Sequence, residues 1–146
     1  MEKAAFGAGC FWHAEEAFGK LSGVKSTEVG YMGGSKRNPT YEEVCRGNTG
    51  HAEVVLVEYD PKEITYRALL DAFWQIHDPT QLNQQGPDIG AQYRSVIFYY
   101  TERQKKESSE SRDQRQKRIG KKIVTEIRRA SHFWRAEDYH QKYLEK

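Results

Sequence analysis

Cysteine is scarce in this chain, with two among 146 residues, Cys10 and Cys45. That is too few for a disulfide-stapled scaffold or a four-thiolate zinc site. Long apolar runs are missing as well. No stretch approaches the ~20 residues that a membrane-spanning helix needs, and the mean hydropathy is -0.90. The opening MEKAAFGAGC puts no extended apolar segment behind a basic start, so we expect no secretory leader, a cytoplasmic location and reduced thiols. Repeats, low-complexity tracts and linkers are absent too, and the length suits one domain over residues 1–146 with a single core. The five histidines lack HxxxH or CxxC spacing, so no metal site is expected.

Charge is present but unevenly placed. Residues 103–130 hold eleven Lys and Arg against four acids, while the rest of the chain is acidic on balance. Such a stripe marks either a polyanion partner or the solvated face of a helix. Interspersed Gln, Ser and Glu favour the solvated face, and no RNP, zinc-finger or helix-turn-helix signature accompanies it, so no nucleic-acid partner is expected.

Patterning predicts a strand over 4–9 running through Gly7 and Gly9 into a helix over 11–21 that begins just after Cys10. A second strand is expected over 24–31 and a loop around Gly33, Gly34, Asn38 and Pro39. Thr40 is placed to cap a short helix over 41–45. The β-branched run Val54, Val55, Leu56, Val57 reads as a central strand over 51–59, and 64–76 shows helical spacing up to His77-Asp78-Pro79. A long polar loop over 80–92, a strand over 94–100, a charged helix over 102–118, a strand over 121–127 and a short helix from residue 136 complete the chain. This order implies an α+β two-layer sandwich, a mixed β-sheet with helices packed on it around a ferredoxin-like core.

Among the residues that carry chemistry, Cys10 stands first. At the first turn of a helix, free N–H groups and the dipole favour a thiolate, which would lower its pKa. A buried core cysteine fits the same position. Phe11 and Trp12 diverge by about 100° around a helix, so at least one is expected to line the space beside the sulfur, where an aromatic wall suits a small apolar group such as a methyl. Glu53, just before the apolar strand, is placed to be desolvated and protonated as a general acid requires, or else to be a surface acid. Tyr41 and Tyr93 flank loops and can donate a hydrogen bond to a substrate oxygen. Asp88 sits between Pro87 and Gly90, a turn position. A Cys-His couple for acyl transfer, using His13, His51 or His77, is the alternative chemistry.

Four blocks then coincide with a known family. GAGCFW at 7–12, YEEVCRGNTGHAEVV at 41–55, HDPTQLNQQGPDIGAQYRS at 77–95 and AEDYHQKYL at 136–144 together resemble peptide methionine sulfoxide reductase A, across nearly the whole chain. The resemblance implies reduction of the S epimer of methionine sulfoxide, free or in proteins. Cys10 would be the nucleophile that becomes a sulfenic acid, Phe11 and Trp12 the methyl pocket, and Glu53 the acid that protonates the sulfoxide oxygen. Tyr41 and Tyr93 would be its hydrogen-bonding helpers, and Asp88 an acid near the site. Many relatives carry a resolving cysteine after the AEDYHQ-like segment, whereas here no cysteine follows Cys45. Cys45 is expected to be structural, and Arg135, where relatives often have proline, to affect only its loop. An external thiol such as thioredoxin is therefore the expected reductant, with no bound cofactor and a monomeric chain.

Overall fold

A computed structural model describes residues 1–146. Its elements are β1 (Glu2–Ala8), α1 (Phe11–Gly19), β2 (Val24–Met32), α2 (Tyr41–Cys45), β3 (Ala52–Tyr59), α3 (Tyr66–Gln75), β4 (Gln84–Gln85), β5 (Asp88–Ile89), β6 (Ser95–Tyr99), α4 (Glu102–Gln116), β7 (Glu126–Arg129) and β8 (Trp134–Arg135). Single 3-10 turns cover Ala91–Tyr93, Asp138–His140 and Tyr143–Glu145. The main sheet runs β7-β6-β1-β3-β2-β8, antiparallel except for the parallel β6–β7 pair, and β4 with β5 forms a separate hairpin. Its centre, β6-β1-β3-β2 with crossovers through α1 and α3, is the ferredoxin-like core expected of the order β-α-β-β-α-β.

Strand alternation decides which side chain meets which layer. Ala4, Phe6 and Ala8 of β1 share a face with Val55, Val57 and Tyr59 of β3, and there meet Phe18 of α1 and Leu69, Leu70 and Phe73 of α3. Ala5, Val54, Leu56, Val96 and Phe98 point the other way and are covered by Tyr100, Ala130 and Phe133 rather than by a helix. Glu53 has the parity of Val55, so it belongs to the helix side. It lies at the start of β3, near where α1 begins, and its carboxyl reaches the first residue of that helix instead of the core.

Thr40 caps α2 through a full capping box with Glu43, as the sequence suggested, and Thr65 and Thr101 cap α3 and α4. α4 has almost no apolar residues, yet it docks firmly. Ser108 meets the Tyr66 hydroxyl at 3.2 Å, Ser111 accepts from Trp74 Nε1 at 2.8 Å, and Gln104 donates to the Lys3 carbonyl at 2.8 Å. Spaced three or four apart, these polar residues replace the apolar stripe of an ordinary surface helix.

Three expectations need correction. The strand over 121–127 starts later, at Glu126, because Ile123 turns into the helix-side core while the Val124 amide bonds the Pro79 carbonyl at 2.9 Å. The segment from residue 136 forms two 3-10 turns instead of a helix, preceded by the unforeseen edge strand β8. Thr80 to Gln92 is ordered by its own amides: Gln85 accepts from the Asp78 amide at 2.8 Å and donates to the Asp78 carbonyl at 2.9 Å, closing the loop that carries β4 and β5. No helix is long and apolar enough to cross a membrane.

Candidate active site

Cys10 is the N-cap residue of α1, in an extended conformation, and its side chain makes no capping bond. Gly9 precedes it at φ +87°, and a Cβ there would stand 2.8 Å from Gln85 Cγ, so the β4–β5 hairpin lies against the turn that presents the thiol. The hairpin brings Asp88 into electrostatic reach of both Cys10 and Glu53. Glu53 Oε1 accepts the Phe11 amide at 3.2 Å, the amide directly after Cys10, while Oε2 is buried without a partner.

The electrostatics differ from the sequence expectation for the thiol. Burial raises the Cys10 pKa first, the Trp12 and His13 amides pull it down, and Glu53 and Asp88 push it up, leaving it at about 11. The helix terminus acts in the direction foreseen, but burial and two carboxyls outweigh it. Glu53 behaves as expected: burial raises its carboxyl to about 8, against the Phe11 hydrogen bond and with help from Asp88. Tyr93 is pushed up to about 12, chiefly by burial, with smaller effects from Glu53, Cys45, Asp88 and Cys10. Tyr41 is raised above its usual range by burial and by the Cys45 thiol beside it. The sequence-derived candidates Cys10, Glu53, Tyr41, Tyr93 and Asp88 thus share one electrostatic neighbourhood.

Phe11 and Trp12 do not part company as consecutive helical residues usually do. Both flank His140, with ring centroids 5.3 and 5.7 Å from its imidazole. Phe11 is buried beside Tyr31 and Tyr41, and Trp12 is half-buried with Tyr143 stacked on it at 3.9 Å. Trp12 Nε1 donates to His140 Nδ1 at 3.0 Å, which places the imidazole proton on Nε2.

His140, Tyr143 and Glu137 stand beside Trp12 and Tyr41, and neither they nor Gln141 were singled out from the sequence. Glu137 accepts from the Tyr31 hydroxyl and the Tyr41 amide, both at 3.0 Å, and Gln141 pairs with both backbone groups of Val29 at 2.9 Å. The AEDYHQKYL block was visible, but a segment held by side-chain bonds to a strand edge leaves no periodicity to read. Buried Glu15 completes the attachment, accepting from the Lys142 amide at 2.7 Å, Lys142 Nζ at 3.0 Å and Thr27 Oγ1 at 2.8 Å. Glu15→Ala is expected to lower stability by about 2–4 kcal/mol in denaturant unfolding, since it leaves the Lys142 amide and the Thr27 hydroxyl without this acceptor, while Lys142 Nζ keeps the Thr27 carbonyl.

The Cys-His alternative lacks its geometry. His13 is exposed on α1, His51 is committed to the Gly34 amide and the Lys36 carbonyl, and half-buried His77 to the Phe73 carbonyl and Ser95 Oγ. Cys45 is exposed at the end of α2, so the structural role expected of it has no packing behind it. What remains is a half-buried thiol, a carboxyl with a raised pKa and two phenols beside an aromatic wall, a set able to attack a polarised centre while protonating its oxygen.

The sequence profile of the peptide methionine sulfoxide reductase family matches residues 2–146. A curated relative, peptide methionine sulfoxide reductase MsrA of Methanothermobacter thermautotrophicus, is 60% identical over 99% of this chain and 87% of its own. Among solved structures, Mxr1 from Saccharomyces cerevisiae in reduced form superposes with a TM-score of 0.94 at 41% identity, covering 99% of this chain and 84% of that one. Mxr1 in complex with Trx2 superposes at 0.70 and 28% identity, covering 97% and 84%. The profile, the identity and the shared fold together establish that this chain belongs to the peptide methionine sulfoxide reductase family.

Proposed function

We propose that this protein reduces the S epimer of methionine sulfoxide, free or within proteins, to methionine, and that an external thiol returns it to the starting state. The observation that carries the reading is the Glu53 carboxyl. One oxygen is held by the amide next to Cys10, the other is buried with no partner, and a pKa of about 8 keeps the group neutral at pH 7. A sulfoxide sulfur is a poor electrophile until its oxygen gains a proton or strong hydrogen bonds, and Glu53 is placed to give that proton.

The step balances within the site. Cys10 Sγ attacks the sulfoxide sulfur while Glu53 protonates the oxygen. The oxygen passes to Cys10 as a sulfenic acid, methionine departs, and the thiol's own proton replaces the one Glu53 gave. Cysteine is oxidised by two electrons and the sulfoxide is reduced by two. Tyr41 and Tyr93 donate hydrogen bonds to the oxygen, Phe11 and Trp12 take the methyl group, and Asp88 helps to keep Glu53 protonated. A thiol from outside then attacks the sulfenic acid and releases water, and a second thiol frees Cys10 as a disulfide leaves. The Trx2 complex of Mxr1 supports a thioredoxin as that donor. No cofactor enters the balance, and one chain supplies every group, so a monomer suffices.

With racemic methionine sulfoxide and a dithiol, consumption is expected to stop once the S epimer is spent; no consumption would overturn the reading. Mass spectrometry after one equivalent of substrate, without reductant, is expected to find oxygen added at Cys10. A Cys10–Cys45 disulfide would place the reductant inside the chain instead.

A further inference from the structure

α3 and α4 lie side by side, and each turns a polar stripe toward their common groove. Arg67, Asp71, Trp74 and Gln75 come from α3, Ser111, Gln114 and Arg115 from α4, and Arg118 from the turn just beyond it, around a cavity of about 380 Å³. The spacings of three, four and seven put each set on one helical face. None of these residues belongs to the Cys10 site.

Three guanidiniums face this cavity against one carboxylate. Arg67, Arg115 and Arg118 make no ion pair anywhere in the chain. Arg67 Nη1 donates to the Glu107 carbonyl at 3.0 Å, and Ser111 already accepts from Trp74. Arg115 Nε is buried with no acceptor at all. A charged donor removed from water without a partner is unfavourable, and three like charges around one concavity raise its potential, so both features call for an anion. The segment after Arg115 adds exposed Lys117, Lys121 and Lys122.

We propose that the α3–α4 groove binds a small phosphate-type oxyanion of two or more charges, free or as the terminal group of a small metabolite. Guanidinium forks match tetrahedral oxyanions through paired N–H bonds, and Gln75 and Gln114 add neutral amide donors. A monocarboxylate offers one charge and two oxygens, fewer acceptors than the cavity has donors.

Isothermal titration with phosphate, pyrophosphate and adenosine monophosphate, at ionic strength held constant with sodium chloride, tests this. Saturable binding is expected, together with an unfolding midpoint that rises with ligand concentration, as for any ligand of the folded state. Pyrophosphate binding tighter than adenosine monophosphate identifies a free anion, and the reverse a metabolite. Arg115→Gln is expected to weaken binding about tenfold or more, with Arg118→Gln as a second variant should the first fail to fold. Arg103→Gln, on the same helix but outside this groove, is expected to leave it within about twofold. Sulfoxide reduction is expected to be unchanged in all three. Absence of saturation, or equal losses in Arg115→Gln and Arg103→Gln, would overturn the proposal, because diffuse attraction to the basic segment would then account for any binding.

Discussion

Replacing Cys10 by serine is expected to lower sulfoxide reduction by on the order of 10⁴-fold or more, to background. Sulfur is the element oxidised in the proposed step, and a serine hydroxyl has no counterpart to the sulfenic acid. The loss should not come from unfolding. The Cys10 side chain makes no capping bond, and the helix is held by its carbonyl, which accepts from the His13 and Ala14 amides at 3.2 and 3.3 Å. Urea unfolding is therefore expected to show a change within about 1 kcal/mol. Retained single-turnover activity would remove Cys10 from the chemistry.

Glu53→Gln is expected to slow the same reaction by about 10²- to 10⁴-fold, the usual contribution of a positioned acid. Glutamine keeps an oxygen for the Phe11 amide but carries no acidic proton. Above about pH 8, where Glu53 is ionised, it also removes a negative charge that holds the thiol pKa up, so alkylation of Cys10 there is expected to be as fast as in the wild type or faster. Wild-type turnover should fall as the pH rises through about 8, where Glu53 ionises, and the fall should be absent from the residual activity of the variant. Stability follows with a definite sign. A carboxyl raised from 4.5 to about 8 binds more protons in the folded state between those values, so wild-type stability drains away across that window as the pH rises. Above it Glu53→Gln is expected to be the more stable protein, by on the order of a few kcal/mol. Parallel pH-stability curves for the two proteins would contradict burial as the cause.

Much of this was legible in the sequence because it is local. The capping box at Thr40, the apolar run of β3 and the glycine turn before Cys10 each depend on residues a few positions apart. The placement of Glu53 was half legible: proximity to an apolar strand suggested a desolvated acid, but its parity and the meeting with α1 come from the sheet. The thiol pKa was misjudged because a helix terminus is visible in sequence whereas burial beside Glu53 and Asp88 is not. His140 lay beyond reach for a similar reason, since its partner Trp12 is 128 positions away. α4 shows the converse case, a stripe read as solvated whose Gln104, Ser108 and Ser111 are buried bonding groups.

The partial burial of Cys10 bears on how such a protein survives where it works. Burial raises the Cys10 pKa above that of a free thiol, which keeps the sulfur protonated at pH 7, and oxidation of cysteine follows its thiolate character. Oxidants that damage methionine elsewhere therefore meet a less reactive sulfur here. A methyl sulfoxide differs from a peroxide in bringing both a methyl group for the aromatic wall and an oxygen that Glu53 can protonate. Reactivity is thus withheld until the damaged side chain arrives, which spares the repairing cysteine from the injury it reverses.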